Sequence, residues 1–563
     1  MRNFLVLMVA LIVTLQSHAL VDMKNANFSD TWTDLIAPGT GYDLRIQRTY
    51  NSRTLFNGIF GFGWCSDFET SLEVTAEGNV KITECGGGLE VTYKPKGFSE
   101  KEIDKNIVKI VDEVKKRNPS LTEKYLTGLK KELKSRPFFR EELNRQLGFT
   151  GKVEAGKTYF AQGRQDESLV FNKGIYIRSL SDNTSQQFDK DGKLVSLYDK
   201  NGNYLKLNYK NDLLNKVTDN GGRSLNFQYH PTIKKVKSVT GPGGLNVTYK
   251  YKGEDLTEAT NAWKDKYVYE YDDIHNITKV NFPDGTSKII KYNKDKDWVT
   301  SFIDRRKCEE KYTYDENPKD PLNHYWSIVE KRCNGKVTNQ SKYEFWHKFS
   351  KEGKRYLYRA YSKINNSETD VIYHEEFGKP VYINRNRIRV KYSYYKSGLI
   401  KTKVEPAKTT SYYYKSKNKC DKVSDVKTEY FGFEKQAEKN KEPKKKLIKT
   451  VKTSFSYAEP KCNLSVAKNT DGQSVVLSYD SRGRIAKITD QSKKVVLIKY
   501  EERFGKPSTV SRPGLGTIKV SYKNDGSIKD VNSKEGPTVA AQVASVFNNL
   551  LEIISPATTE LNI

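Results

Sequence analysis

The sequence contains little of what metal centres and common active sites require. There are six histidines in 563 residues. His374-Glu375-Glu376 lacks the second histidine of the H-E-x-x-H zinc motif. G-x-S-x-G and the Lys-containing glycine loop that binds phosphate are also absent. The cysteines have no C-x-x-C spacing and no neighbouring histidines, which argues against zinc. We therefore predict a protein without catalytic residues, metal ligands or a cofactor.

Long apolar runs are also missing beyond the N-terminus. Apolar residues make up 36% of the chain, and no later run reaches the roughly 18 residues of a transmembrane helix. Arg2, the apolar run 4–15, and the small residues Ser17 and Ala19 form the pattern of a secretory signal peptide over 1–19. No cysteine follows, so a lipid anchor is not expected. The mature chain is predicted to be periplasmic, secreted or on the cell surface, without a transmembrane segment.

The formal charge of +28 shows a marked shortage of acidic residues relative to lysine and arginine. Such a charge favours an anionic partner, for example an anionic glycan or the cell envelope surface. The alternative is that the charge keeps a large exposed sheet soluble. Nucleic acid is not expected, because no DNA- or RNA-binding motif accompanies the lysines. The 36 tyrosines suit sheets with two different faces better than buried helices.

Six cysteines in an exported chain predict disulfides, with free buried thiols as the alternative. Two of the predicted pairs flank a turn symmetrically, at residues 317–323 and 439–446, so each pair faces across two strands. The third pair flanks residues 76–79 less symmetrically. The predicted pairs are Cys65–Cys85, Cys308–Cys333 and Cys420–Cys462.

An aromatic residue recurs every 20 to 22 residues through much of the chain. In the copy at 479–490, an apolar strand ends in Tyr-Asp, a turn with a glycine follows, and a second strand ends in Thr-Asp. Such repetition predicts an all-β array of hairpins in which each unit buries a face on its neighbours. The many aspartates are assigned to the turns rather than to catalysis. The predicted anchors are Phe188, Tyr209, Tyr229, Tyr251, Tyr271, Tyr292 and Tyr314, then, after a less regular middle, Tyr395, Tyr414, Tyr457, Tyr479, Tyr500 and Tyr522.

The hydrophobic period changes from two to 3.6 in residues 97–148. Ser99 and Ser120, each followed three residues later by glutamate, are predicted to cap two helices. Pro137 is predicted to open a third helix that Gly148 ends. The apolar stripes of these helices either pack together or on the sheet, or they dock a partner protein or plug the sheet's opening.

Two N-terminal motifs bear on the family. Residues 48–53 read R-T-Y-N-S-R, and residues 58–64 read G-I-F-G-F-G-W. Together with the Tyr-Asp repeats they resemble the RHS/YD-repeat family. The resemblance implies an all-β, hollow shell of spiralling hairpins, one end of which the N-terminal segment helps to close. Arg45, Arg48 and Arg53 are expected to pair with neighbouring acids rather than to bind an anion.

The predicted organisation has five parts. Bacterial shells of this family end in an Asp-containing self-cleavage segment and a variable toxin, and the residues after Tyr522 resemble neither. An apolar helix is predicted over 539–554 instead. The parts are a signal peptide (1–19), an N-terminal β domain (20–96), a helical insertion (97–148), a YD-repeat shell (149–535) and a C-terminal helix or tail (536–563).

Three functions remain after this reasoning. The first is an exported structural protein that binds a partner protein or an anionic surface polysaccharide. The second is a toxin-delivery component that encloses cargo. The third is a secreted hydrolase, which the absence of catalytic motifs makes the weakest of the three.

Overall fold

The protein is represented by a computed structural model. The structure describes residues 20–542, apart from 40, 96–99, 162–163, 351–354, 415–419, 421, 434–444, 460, 503–504, 524–527, 534–535, 537 and 539–540. The predicted signal peptide and most of the predicted C-terminal helix therefore lie outside the described residues.

The N-terminal residues form a four-stranded sheet and a short two-stranded ribbon. In the sheet, β1, β2, β3 and β6 are neighbours in that order, and β4 pairs with β5 in the ribbon. The strands are β1 (Leu20–Asp22), β2 (Asn27–Ala37), β3 (Leu44–Asn51), β4 (Asn57–Gly58), β5 (Gly61–Phe62) and β6 (Trp64–Ser66).

All later strands belong to one antiparallel sheet in which each strand pairs with the next along the chain. The only interruption is a three-helix insertion between β9 and β10, two strands that pair directly with each other. Residues 71–95 of the predicted N-terminal domain thus belong to the repeat sheet.

The first half of this sheet includes the helical insertion. Its elements are β7 (Ser71–Val74), β8 (Val80–Thr83), β9 (Glu90–Pro95), α1 (Glu100–Arg117), α2 (Glu123–Ser135), α3 (Pro137–Leu147), β10 (Thr158–Ala161), β11 (Arg164–Asn172), β12 (Ile175–Ser179), β13 (Ser185–Phe188), β14 (Leu194–Tyr198), β15 (Tyr204–Lys210), β16 (Leu213–Asp219), β17 (Ser224–Tyr229), β18 (Val236–Thr240), β19 (Asn246–Lys252), β20 (Asp255–Thr260), β21 (Lys266–Tyr271), β22 (Ile277–Asn281), β23 (Ser287–Asn293), β24 (Trp298–Ile303) and β25 (Glu309–Glu316).

The second half begins with longer strands and then returns to the short repeat. Its elements are β26 (His324–Cys333), β27 (Lys336–Phe349), β28 (Arg355–Ile364), β29 (Ser367–Tyr373), β30 (Pro380–Arg385), β31 (Ile388–Tyr394), β32 (Ile400–Val404), β33 (Lys408–Tyr413), β34 (Asp425–Phe433), β35 (Lys445–Ala458), β36 (Asn463–Asn469), β37 (Ser474–Tyr479), β38 (Ile485–Asp490), β39 (Val495–Tyr500), β40 (Pro507–Arg512), β41 (Gly516–Tyr522) and β42 (Ile528–Ser533).

The anchor tyrosines are connected by a hydrogen-bond relay. The hydroxyl of Tyr271 donates to the carbonyl of Leu256, fifteen residues earlier, at 2.8 Å. Leu256 is itself the backbone pairing partner of the preceding anchor, Tyr251. Tyr271 pairs in turn with Ile277, whose carbonyl accepts the hydroxyl of Tyr292 at 3.1 Å. Each hairpin is therefore fixed to the one before it by the anchor's side chain as well as by the strand ladder.

The relay covers most of the predicted anchors. A β-bulge directly precedes most anchors, as at Glu270 before Tyr271. Donor hydroxyls and acceptor carbonyls are Tyr209–Leu194, Tyr229–Leu214, Tyr251–Val236, Tyr271–Leu256, Tyr292–Ile277, Tyr314–Val299, Tyr394–Pro380, Tyr479–Leu464, Tyr500–Ile485 and Tyr522–Pro507.

One predicted anchor is wrong by a single residue. Tyr394, not Tyr395, follows the bulge and donates to the carbonyl of Pro380 at 2.6 Å. Tyr395 lies just past the strand and donates to the carbonyl of Tyr412 at 3.0 Å. Two adjacent tyrosines satisfy the same spacing, so the periodicity alone does not separate them.

The turn aspartates have the structural role expected of them. Asp480 accepts the backbone N–H groups of Arg482 at 3.0 Å and Arg484 at 2.9 Å through one carboxylate oxygen. Asp272 binds Ile274 and Asn276 in the same way. These bonds close a tight turn around one carboxylate.

The sheet wraps so that late repeats return beside early ones. The side-chain amide of Asn463 donates to Asn201 at 3.1 Å, across 262 residues of sequence. The Lys422 ammonium donates to the carbonyl of Ser181 at 2.7 Å. The predicted wrapped sheet of hairpins is thus confirmed, while a hollow interior stays a prediction.

Two apolar clusters stabilise the wrapped sheet. One includes buried residues between Val21 and Val329 and joins the N-terminal sheet to one face of the repeat sheet. The other lies between Ile400 and Ile518. Between them, every described side chain of β28–β31 is partly or fully exposed. There the wall is a single sheet in contact with solvent on both faces.

The helical insertion buries its stripes within itself. Ile107, Ile110, Leu126, Leu129 and Leu133 form a separate core of the three helices. Packing among the helices therefore explains the stripes without a docked partner. Contacts to the sheet include ion pairs, among them Arg140–Glu77 at 2.9 Å and Lys81–Glu141 at 2.6 Å.

Two helix boundaries test the capping predictions. The second predicted cap is wrong, because α2 begins at Glu123 and Thr122 is its N-cap, with its hydroxyl accepting the Tyr125 N–H. Pro137 and Gly148 bound α3 as predicted, with Gly148 at φ +72°. Ser99 lies outside the described residues.

The three predicted disulfides, Cys65–Cys85, Cys308–Cys333 and Cys420–Cys462, are all present in the structure. Cys308 and Cys333 lie at the ends of the β25–β26 hairpin, where Glu309 pairs with Arg332. The cross-strand argument from sequence spacing is therefore confirmed for this pair.

Removing single anchor hydroxyls should measure the strength of the relay. Tyr479→Phe deletes one bond, to the carbonyl of Leu464, and should lower the free energy of unfolding by about 1 kcal/mol. Tyr271→Phe should cost about 2–3 kcal/mol, because it also removes the acceptor of the Trp64 indole N–H, at 2.9 Å. Denaturant unfolding monitored by fluorescence gives both values. The control is Tyr413→Phe, on a tyrosine that is 44% exposed, and equal losses in all three variants would contradict the relay.

Candidate functional site

The most highly organised polar site lies where the N-terminal sheet meets the repeat sheet. Arg48 on β3 forms a bidentate ion pair with Asp34 on β2, and neither side chain is more than 1% exposed. The hydroxyl of Tyr249, on β19, donates to Asp34 at 2.7 Å. The Arg48 guanidinium also donates to the Tyr269 hydroxyl at 3.3 Å. The pair thus connects the first strands to repeats more than 200 residues later.

Aromatic rings enclose this ion pair. The Arg48 guanidinium lies 4.5 Å from the ring centroid of Trp64 and 5.2 Å from that of Tyr249. Trp64 packs against Trp32 and Tyr269 at centroid distances of 5.0 and 5.1 Å. Burial alone would lower the pKa of Arg48, but the Asp34 carboxylate keeps that pKa raised. Arg48 is therefore a permanently charged, water-excluded cation.

The rest of the R-T-Y-N-S-R motif also binds the repeat sheet or its own strand. The Tyr50 hydroxyl donates to the carbonyl of His275 at 3.0 Å and accepts the Ile277 N–H at 3.1 Å. Ser52 accepts the N–H of Phe28 at 3.0 Å. Arg53 donates to the carbonyl of Lys296 at 3.3 Å. Arg48 and, through Asp67 at 2.7 Å, Arg45 have the acidic partners expected of them, whereas Arg53 binds a carbonyl instead.

The glycine-rich motif allows the same close approach. Gly61 has φ +109°, and a Cβ there would lie 2.6 Å from the Glu254 carbonyl oxygen. Gly63 has φ +77°, and a Cβ there would lie 2.7 Å from the Tyr50 ring. Only glycine fits both the conformation and the space at these two positions.

Glu69 fastens the same loop. One carboxylate oxygen accepts the Ile59 N–H at 2.7 Å, and the other accepts the N–H and hydroxyl of Ser66 at 2.9 and 3.0 Å. Burial raises the pKa of Glu69 to about 7, although these hydrogen bonds oppose the shift. The charge of Glu69 therefore changes near neutral pH.

A second buried cation connects the start of the repeat sheet. Arg178 on β12 is 1% exposed and donates to the Tyr93 hydroxyl at 2.6 Å. It also bonds Glu167 at 3.3 Å and forms an ion pair with Glu84. The Tyr93 hydroxyl completes the network by donating to Glu167 at 2.9 Å.

Sequence reasoning found part of this site. Arg48 and Trp64 were singled out by their motifs, but their partners Asp34, Tyr249 and Tyr269 were not, because they come from strands distant in sequence. Arg178 carries no motif, and only its position in an apolar strand separates it from surface arginines. In the part of the chain described, no three His, Cys, Asp or Glu side chains are grouped to hold a metal ion.

These contacts define a class of protein: a wrapped YD-repeat β sheet with an N-terminal segment fixed to it. The Teneurin YD-shell family model matches residues 164–557, and the chain belongs to this family. Residues 19–92 match a second family model, a domain of unknown function designated DUF6531. The predicted membership of the RHS/YD-repeat family is confirmed.

Among curated proteins, the chain is similar to the tRNA nuclease WapA of Bacillus subtilis strain 168. The two are 25% identical over 268 residues, which is 46% of this chain and 11% of WapA. The tRNA3(Ser)-specific nuclease WapA of Bacillus spizizenii matches to the same extent. The chain thus spans about a tenth of the length of the curated relatives it matches.

Among solved structures, the chain is similar to TcdB2-TccC3 without its hypervariable C-terminal region. The TM-score is 0.28 and the identity 9%, over 95% of this chain and 33% of that one. None of the helices in the described part of the chain is both long and apolar enough to cross a membrane.

A double-mutant cycle should show that the buried pair acts as a unit. Arg48→Met and Asp34→Leu should each lower the free energy of unfolding by about 3–5 kcal/mol, because each leaves an unpaired buried charge. The double variant should lose clearly less than the sum of the two. Arg45→Met is the matched control, since its partner Asp67 is exposed, and it should cost at most about 1 kcal/mol. Additive losses would contradict a buried pair.

Glu69 should make stability depend on pH near neutrality. Its folded-state pKa of about 7 lies above the ordinary value of 4.5, so its contribution is full below about pH 4.5 and is lost as pH rises through 7. We expect the unfolding free energy of the wild type to fall over this window relative to that of Glu69→Gln. Denaturant unfolding of both proteins from pH 4 to 9 isolates the effect. Parallel pH profiles for the two proteins would contradict the assignment.

Proposed function

We propose that this chain is an exported, non-enzymatic shell protein that binds an anionic cell-surface polysaccharide through the solvent face of its sheet. The observation that carries the proposal is the distribution of charge on that face. Strand lysines point to solvent opposite the apolar core in repeat after repeat. Those exposed on the strands include Lys206, Lys210, Lys250, Lys252, Lys266, Lys291, Lys499 and Lys519.

Carboxylates do not neutralise these lysines one for one. Glu258 pairs with both Lys250 and Lys266, at 2.8 Å each. Many other acids are used in turns, as Asp480 is, and are not available to the strand lysines. The excess of +28 is therefore presented along a broad surface, which suits a long polyanion better than a small ligand.

Two features support export. The first nineteen residues have the charge and hydrophobicity pattern of a secretory leader. All six cysteines are paired as disulfides, which persist in oxidising compartments.

Enclosure of cargo is the second candidate. It is favoured by the single-layer wall at β28–β31, which contacts solvent on both faces and leaves room on each side. Small-angle scattering of the mature protein separates a shell with a large void, which would favour cargo, from a filled or open particle.

Polyanion binding should be electrostatic and localised to the sheet. Retention of the full chain on heparin should fall steeply as NaCl rises from about 0.05 to 0.5 M. A variant with Lys206→Gln, Lys252→Gln and Lys291→Gln should elute at clearly lower salt than the wild type.

The control removes the same charge from the helical insertion, with Lys101→Gln, Lys109→Gln and Lys124→Gln. This variant should elute close to the wild type. Equal shifts in both variants would show that the sheet face is not the binding surface, and retention indifferent to salt would rule out an electrostatic partner.

A further inference from the structure

The β34–β35 hairpin extends beyond the strands on either side of it. The last backbone bond of β34 to the β33 side runs from the Phe431 N–H to the Ala407 carbonyl, at 2.8 Å. The last bond of β35 to the β36 side runs from the Thr470 N–H to the Lys452 carbonyl, at 2.9 Å. Among the described residues, 431–433 and 445–451 therefore pair only with each other. They form a two-stranded ribbon that stands out from the sheet.

This ribbon exposes large apolar side chains on both faces. Phe433 is 50% exposed, Leu447 51% and Ile448 71%. Phe431 pairs with Leu447 on one face, whereas Ile448 lies in the bulge and leans over Gly432 on the other. Apolar groups on an isolated ribbon are a liability in water, because such a ribbon is only marginally stable and invites contact. Their presence here calls for a contact that removes them from water.

Lysines lie among these apolar side chains. Lys445 pairs with Phe433 across the ribbon, and Lys446 pairs with Gly432. In the described part of the chain, no carboxylate lies within ion-pair distance of Lys445 or Lys446, whereas Lys449 is paired with Asp471 at 2.8 Å. The ribbon therefore combines exposed apolar groups with cations that are not neutralised.

We propose that this ribbon docks the protein on an anionic phospholipid membrane. Phe433 and Ile448 enter the boundary between headgroups and acyl chains, and Lys445 and Lys446 face the lipid phosphates. A hydrated polysaccharide satisfies the lysines but gives the apolar groups nothing, so the combination selects a lipid surface. The inference is independent of the proposed polysaccharide contact, which uses other lysines.

Vesicle cosedimentation of the full chain tests the proposal. Wild type should bind vesicles of phosphatidylcholine and phosphatidylglycerol (7:3) in 0.1 M NaCl and bind pure phosphatidylcholine much more weakly. Lys445→Gln with Lys446→Gln should lower the apparent affinity about 25-fold, since each lysine near an anionic surface contributes about fivefold. Phe433→Ser with Ile448→Ser should lower it at least about tenfold.

Two matched control variants keep the test specific. Lys493→Gln with Lys494→Gln removes the same charge from an exposed turn, and Leu322→Ser with Ile388→Ser removes exposed apolar side chains elsewhere. Both should bind as the wild type does. All substituted residues are exposed, and near-ultraviolet circular dichroism confirms that each variant is folded.

Three results would overturn the proposal. The first is equal binding by the ribbon and control variants, or no binding by the wild type. The second is full affinity after Phe433→Ser with Ile448→Ser, which would indicate a plain polyanion contact. The third is a concentration-dependent dimer without lipid that this variant abolishes, which would assign the ribbon to a second copy of the chain. Heparin retention is scored separately, so either proposal can fail alone.

Discussion

The hydrogen bond from each anchor tyrosine to a carbonyl fifteen residues earlier is the constraint on which the wrapped sheet depends. A sheet of hairpins has no repeating element other than the strand ladder to fix one hairpin relative to the next. The relay supplies it, because the residue that pairs with one anchor accepts the hydroxyl of the following one, as Ile277 does between Tyr271 and Tyr292. It requires only a carbonyl, which is why Pro380 and Pro507 serve as acceptors as well as leucine does.

The structure changes where the relay is interrupted. Tyr314 pairs with Ser327 without a bulge, and Ser327 donates to the carbonyl of Met23 rather than continuing the series. From that point the strands lengthen, to fourteen residues in β27, and the following strands lose their buried face. The short strands therefore reflect the relay's spacing. The N-terminal sheet covers the regular repeats, where Arg48 and Tyr50 can bind side chains and carbonyls that recur at fixed intervals.

The sequence predicts what repeats and what lies close along the chain. Tyrosine spacing predicts the hairpins, and turn symmetry predicts the Cys308–Cys333 disulfide, because both depend on local separation. Finer placement fails where two residues satisfy one pattern, as with Tyr394 and Tyr395 or Ser120 and Thr122. The partners of Arg48 and Arg178 are not predictable, because a buried ion pair depends on strands brought together only by the completed wrap. Glu69 looks like any surface glutamate until the loop closes over it.

The charge of the chain follows from the same architecture. Each turn uses an aspartate or asparagine to bind backbone N–H groups, so acidic residues are concentrated at the edges of the sheet. The solvent face of the strands is left to lysine and threonine, which also keep a single-layer sheet from stacking on another. A large positive surface is thus first a condition for solubility, and a polyanion can use it without any dedicated pocket. The β34–β35 ribbon departs from this pattern, since apolar side chains occupy positions that elsewhere on the solvent face carry polar ones. Solubility does not explain that departure, and burial against a lipid surface does.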